Sequence, residues 1–134
     1  MLEPGVARTV REGTDVALLA FGRMVECAQS AADLLAEQGI QARVVDMRWV
    51  KPIDAQAIAA AAQTKLVVTI EEGVVCGGAG SAVLEQMHAA GFATPVLQLG
   101  IPDEYVSQGK TTLLLQDLGL DAQGIAARVQ AALR

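Results

Sequence analysis

A chain of 134 residues is long enough for one ordinary globular domain with its own core and too short for two. Just over half of the residues are apolar (52%) but only 3% are aromatic, so the core must be built from Val, Leu, Ile and Ala, which suits an α/β domain better than a small all-β one. The net charge of −5, with basic residues scattered singly, argues against nucleic acid and against an anionic membrane surface, and no apolar run approaches the ~20 residues that span a bilayer.

Met1-Leu2-Glu3-Pro4-Gly5 lacks the apolar stretch of a signal peptide. Ala7 to Arg11 reads as a short strand, its Arg8 and Arg11 suited to a sheet edge, with Glu12-Gly13 as a turn. Val16 to Ala20 is continuously apolar, the pattern of a parallel strand covered on both faces. In the helix that follows, Met24, Ala28, Ala31, Ala32 and Leu35 share one face and Glu26, Ser30, Asp33 and Glu37 the other, and Gly39 is placed to terminate it. Ala42 to Asp46 is the next strand. Asp54 can N-cap a second helix through Ile58, Ala59 and Ala62. Leu66 to Ile70 is a third core strand, Val83, Leu84 and Met87 mark a third helix, and Val96 to Leu99 is a fourth strand. These four strands start 24 to 30 residues apart, the length of a βαβ unit with short connections. Thr111 can cap a leucine-rich turn ending at Gly119, and Asp121 a final helix with Ile125, Val129, Ala132 and Leu133 on one face. No linker, repeat or low-complexity tract interrupts the pattern. The expectation is one three-layer α/β/α domain over residues 1–134 with right-handed crossovers: an edge strand and lead-in (1–13), a βαβ core (14–100) and C-terminal helices (101–134).

Open α/β sheets gather ligands and partners at the carboxyl ends of their strands. Here those ends carry the charge: Gly22-Arg23, Asp46-Met47-Arg48-Trp49, Glu71-Glu72, and Gly100-Ile101-Pro102-Asp103-Glu104-Tyr105. The only Trp and the only Tyr fall there, and an aromatic beside mixed charges suits a protein interface. The weak interface set is Arg48, Trp49, Glu71, Glu72, Gly77, Gly78 and Tyr105.

Chemistry is harder to find. Gly73 to Ser81, with Gly77, Gly78 and Gly80, opens the third helix and could cradle a phosphate through free N–H groups. It is neither GxGxxG nor a Walker loop, and two carboxylates precede it, so a tight turn with close packing is favoured. Glu71 and Glu72 are adjacent and would point to opposite faces of a strand, which disqualifies them as a matched acid–base pair. An ion pair with Arg48 or Lys51, or anchoring of the following helix, is the favoured role. His88 is the single histidine, without the neighbours of a metal site, and reads as a partly exposed helix residue. Cys27 and Cys76 form no CxxC and fit packed thiols of a reduced, cytoplasmic protein. Ser81 is outside a GxSxG elbow.

Four segments together nevertheless carry a resemblance. Val45-Asp46-Met47-Arg48-Trp49-Val50-Lys51-Pro52-Ile53-Asp54, Val68-Thr69-Ile70-Glu71-Glu72 with Gly77-Gly78-Ala79-Gly80-Ser81, Leu99 to Val106 with Gln108-Gly109, and Leu118 to Ile125 are similar, in order and spacing, to the third domain of the 1-deoxy-D-xylulose-5-phosphate synthases. Arg11 to Gly22 fits as well. The resemblance implies a transketolase-type C-terminal domain: a mixed, mostly parallel five-stranded sheet with one antiparallel edge strand, flanked by helices and contributing to a homodimer. The parent activity it implies is the condensation of pyruvate with glyceraldehyde 3-phosphate, with thiamine diphosphate and Mg²⁺ held between the upstream domains, feeding isoprenoid, thiamine and pyridoxal synthesis. It also implies that Met1 is not the start of a complete family member. This chain has no GDG and no asparagine, so no catalytic, cofactor-binding or metal-binding residue is carried onto it, and the segment alone is expected to be inactive. Rival readings are the C-terminal domain of a 2-oxoacid dehydrogenase or of transketolase itself, and an autonomous anion-binding module.

Overall fold

The fold is organised around β2 (Val16–Ala20), in which all five residues are buried. A strand with no solvent-facing side must be covered twice, and the buried side chains divide accordingly. Val16, Leu18 and Ala20 point into a cluster with Met24, Ala28, Ala31, Ala32, Leu35, Val44, Val68, Ile125 and Val129. Ala17 and Leu19 point the other way, to Val45, Ile58, Ala61, Val67, Ala79, Val83 and Met87. This is the period-two alternation of a strand read on both faces of one sheet.

The computed structural model describes residues 7–22, 24–48, 54–72, 79–101 and 121–133. In them, β1 (Arg8–Arg11), β2, β3 (Ala42–Asp46), β4 (Leu66–Glu72) and β5 (Val96–Ile101) form one sheet in the order β1-β3-β2-β4-β5. β3, β2, β4 and β5 are parallel, in the registers Val16↔Ala42, Val16↔Leu66 and Val67↔Val96. β1 is antiparallel to β3, with Arg8 opposite Asp46 and a register shift between Thr9 and Arg11. Helix α1 (Met24–Glu37) and helix α4 (Ala122–Leu133) cover one face, and α2 (Ala55–Ala61) and α3 (Ala79–Ala89) the other. The expected α/β/α layering and the antiparallel edge strand are both present.

Local chemistry fixes the ends of the helices. Gly39, at φ +79°, closes α1: its N–H reaches the Ala36 carbonyl at 3.0 Å and the Ile40 N–H reaches Leu35 at 2.9 Å. These are the paired bonds of a Schellman motif. Gly91, which the sequence reading did not single out, closes α3 in the same way through Gly91 N–H to His88 (3.1 Å) and Phe92 N–H to Met87 (2.9 Å). Asp121 caps α4 by accepting the Gly124 N–H at 2.9 Å.

Some expectations need correction. β4 and β5 run two residues past the expected ends, so Glu71 and Glu72 lie in the strand itself. Leu84 is 44% exposed and packs into neither cluster. In α4, Ala126 is buried and Ala132 exposed. Gly13 is needed for a close approach: a Cβ there would lie 2.3 Å from the Ala42 carbonyl carbon. The edge position that its arginines suggested is where β1 lies, and ion pairs flank it. Arg11 pairs with Asp33 of α1, and Arg43 of β3 pairs with Glu12 and donates to Thr9 Oγ1 at 3.1 Å. The leucine-rich turn after Thr111 lies outside the described residues.

Candidate functional site

Because β3, β2, β4 and β5 are parallel, their carboxyl ends share one edge of the sheet, and the helices that follow start from that edge. α2 begins there at Ala55 and α3 at Ala79. β1 runs the opposite way, so its first residue, Arg8, lies beside Asp46 at this same edge. Ala7 and Arg8 therefore lie where the parallel strands end. Only this tertiary arrangement brings residues 7–8, 46–48, 54 and 71 to a common rim.

Arg48 follows β3 and is the one non-glycine residue with a positive φ (59°) among the described residues. That left-handed conformation costs an ordinary side chain about 1–2 kcal/mol and collects at sites where geometry has a purpose. Its Nε sits 3.7 Å from Asp46 Oδ2, and both side chains are largely covered. β2 lies between β3 and β4, which keeps Arg48 and Glu71 two strand spacings apart. Of the roles the sequence left open, the Arg48–Glu71 ion pair is accordingly not found, Lys51 lies outside the described residues, and Glu71 anchors the following helix. Its Oε2 accepts the Gly80 N–H at 2.6 Å, anchoring the first turn of α3 to the end of β4. Burial pushes the Glu71 carboxyl above its ordinary value, and the Gly80 N–H pulls it partly back.

Beneath this contact Thr69 is completely buried, and its Oγ1 has no hydrogen-bond partner among the described residues. Thr69 pairs in register with Gln98 on β5. A Cβ on Gly80 would lie 2.8 Å from both Thr69 Oγ1 and Gln98 Oε1. Gly80 is thus a glycine of close approach, pressing α3 onto the sheet. The sequence offered no signal for Thr69 or Gln98, because their meeting depends on strand register.

On the opposite flank, Asp54 accepts the Ala57 N–H at 3.0 Å through Oδ1 and the Ala7 N–H at 2.8 Å through Oδ2. The cap was legible in the sequence, and the bond to Ala7, 47 positions away, was not. Glu72 closes β4, and its side chain lies outside the described residues, as do Trp49, Gly77, Gly78 and Tyr105. His88 is exposed in the last turn of α3, as expected. Cys27 is half-buried beside the α1 side of the core.

Among the described residues, the donor set does not fit a diphosphate–metal cofactor. Among the described residues no group of three His, Cys, Asp or Glu side chains could hold a metal ion. Among the described residues, the rim carboxylates Asp46, Asp54 and Glu71 are engaged, the first by Arg48 and the other two by backbone N–H groups.

Comparison with known proteins gives a consistent picture. A family model described as "Transketolase, C-terminal domain" matches residues 5–125. The 1-deoxy-D-xylulose-5-phosphate synthase of Chromobacterium violaceum is 51% identical over 127 residues, covering 94% of this chain and 20% of that protein. The synthase of Ralstonia nicotianae is 52% identical over 125 residues, covering 92% and 19%. The chain therefore spans about a fifth of the length of the curated relatives it matches. A solved structure described as "Split gene transketolase, inactive beta4 tetramer" is 41% identical with a TM-score of 0.86, covering 98% of this chain and 43% of that one. Transketolase from Campylobacter jejuni, at 18% identity and a TM-score of 0.61 over 98% of this chain and 20% of that one, shares the fold.

Proposed function

The chain belongs to the transketolase C-terminal domain family, and on that premise we propose that it is the architectural third domain of a 1-deoxy-D-xylulose-5-phosphate synthase. In this reading residues 1–134 form one such domain, and its carboxyl-end rim packs against the polypeptide that precedes it and supports a homodimer. The parent enzyme condenses pyruvate with glyceraldehyde 3-phosphate in the cytoplasm, using thiamine diphosphate and Mg²⁺ bound by its other domains. The segment itself is not catalytic.

The observation that carries the reading is the direction of β1. An antiparallel edge strand brings the incoming chain to the rim that holds Arg48, Asp54 and Glu71. Strong identity to synthases over nearly the whole chain supports the parent activity, and the engaged carboxylates support the lack of a cofactor site here. Arg48, Trp49, Glu71, Glu72, Gly77, Gly78 and Tyr105 form the proposed interface. The split-gene structure, whose description names a tetramer of one chain, supports self-association through a polypeptide that includes such a domain.

The test has two arms. The isolated chain, given pyruvate, glyceraldehyde 3-phosphate, thiamine diphosphate and Mg²⁺, is expected to show no turnover and no saturable diphosphate binding by calorimetry. Turnover, or micromolar binding, would sink the architectural reading. Expressed with the upstream sequence of its own gene, the protein is expected to sustain the condensation, with weaker dimerisation or lower stability in the Arg48→Glu and Trp49→Ala variants. Unchanged association and stability in both would remove the rim from the interface.

A further inference from the structure

The rim contains a side chain that works in two directions at once. Asp54 precedes α2 in extended backbone (φ −81°, ψ 97°), the conformation of an N-cap, and its Oδ1 accepts the Ala57 N–H at 3.0 Å. A neutral cap needs only that one oxygen. The second oxygen, Oδ2, accepts the Ala7 N–H at 2.8 Å, the residue immediately before β1. Among the described residues no cationic side chain pairs with this carboxylate, so its hydrogen bonds go to backbone from two parts of the chain. The contact is reinforced by packing: Ala7 and Ala57 both lie against the core cluster of Ile58, Ala61, Val45 and Met47. One residue further, β1 takes up its register with Arg8 opposite Asp46.

We propose that Asp54 is a positioning residue, a two-oxygen anchor that fixes where and in which direction the polypeptide ahead of β1 comes onto the carboxyl-end rim. A backbone N–H at the start of an edge strand is a weak point, because nothing pairs with it on the open side and strand ends fray. Tying that N–H to the capping residue of α2 makes the orientation of the incoming chain part of the α2 frame. The consequence for interdomain geometry rests on the reading above, that preceding polypeptide packs at this rim. The anchor itself does not, and the two can fail separately.

Asparagine separates the two functions of the side chain. It caps helices as well as aspartate does, but it offers one acceptor oxygen where the carboxylate offers two. Amide hydrogen exchange by NMR on chain 1–134 is the measurement, comparing the native chain with Asp54→Asn and Asp54→Ala. In Asp54→Asn the Ala7 amide is expected to exchange about tenfold faster while the Ala57 amide stays within about twofold of native, since losing a hydrogen bond of about 1.4 kcal/mol is a factor of ten. In Asp54→Ala both amides are expected to accelerate. Unchanged exchange at Ala7 in Asp54→Asn, or acceleration at Ala57 to the same degree as at Ala7, would overturn the anchor. So would acceleration at Ala57 alone.

Discussion

The approach of α3 to the sheet can be tested through a single methyl group. Gly80 is the second residue of α3 and is buried. Replacing glycine by alanine inside a helix ordinarily stabilises by about 0.5–1 kcal/mol, because less backbone entropy is lost on folding. Here the new Cβ would lie 2.8 Å from Gln98 Oε1 and 2.8 Å from Thr69 Oγ1. Gln98 is exposed and can swing away, whereas Thr69 is fully buried on a central strand and cannot. Overpacking of this kind costs about 1–3 kcal/mol, so Gly80→Ala is expected to destabilise by a net ~1–2 kcal/mol. Thr69→Ala removes the obstruction, and because Oγ1 has no hydrogen-bond partner among the described residues it forfeits burial of roughly one methyl group, about 0.8 kcal/mol, without breaking a bond to any of them. In that background Gly80→Ala should turn stabilising, for a coupling of about 1–3 kcal/mol across the cycle. Urea unfolding of the four proteins, followed by far-ultraviolet circular dichroism, reads both quantities. If Gly80→Ala has the same sign and size in both backgrounds, Thr69 is not what the helix presses against.

Two further predictions concern the rim and the edge strand. Below its ordinary value of 4.5 the Glu71 carboxyl is protonated in both folded and unfolded chains. Above that value the folded state retains the proton longer, so the stability contributed by protonated Glu71 declines as pH rises through the raised value. Glu71→Gln keeps an acceptor for the Gly80 N–H without a charge to bury, so its stability relative to native should be more favourable at pH 7 than at pH 4. A native protein that gains on the variant as pH rises would contradict the assignment of burial as the dominant cause. Gly13→Ala should cost about 3 kcal/mol, because the Cβ would meet Ala42 and Arg43 backbone atoms at 2.3–2.6 Å, where no rotamer gives relief. Gly39→Ala, with open space but φ +79°, should cost only about 1–2 kcal/mol. Unfolding midpoints for the two variants check that order, and equal losses would show that β3 yields at Gly13.

The layering was legible in the sequence because it is set by composition along short windows. A strand such as Val16–Ala20 that is apolar at every position has no side to show to water, and the α1 stripe of Met24, Ala28, Ala31, Ala32 and Leu35 can be buried only against such a sheet. Caps and stops were legible for the same reason, since the Asp54 cap, the Asp121 cap and the Gly39 terminator each act within four residues of chain. The rim was legible only as a set of strand ends. Which of its charges would meet was decided by strand order: β2 separates Arg48 from Glu71, leaving one to Asp46 and the other to the start of α3. The burial of Thr69 under Gly80 and the bond from Ala7 to Asp54 likewise join residues 11 and 47 positions apart. Local sequence fixes what a segment can become, because backbone propensity and side-chain periodicity act over a few residues. Register and crossover choose which segments touch, and a hydrogen bond between distant residues exists only once that choice is made.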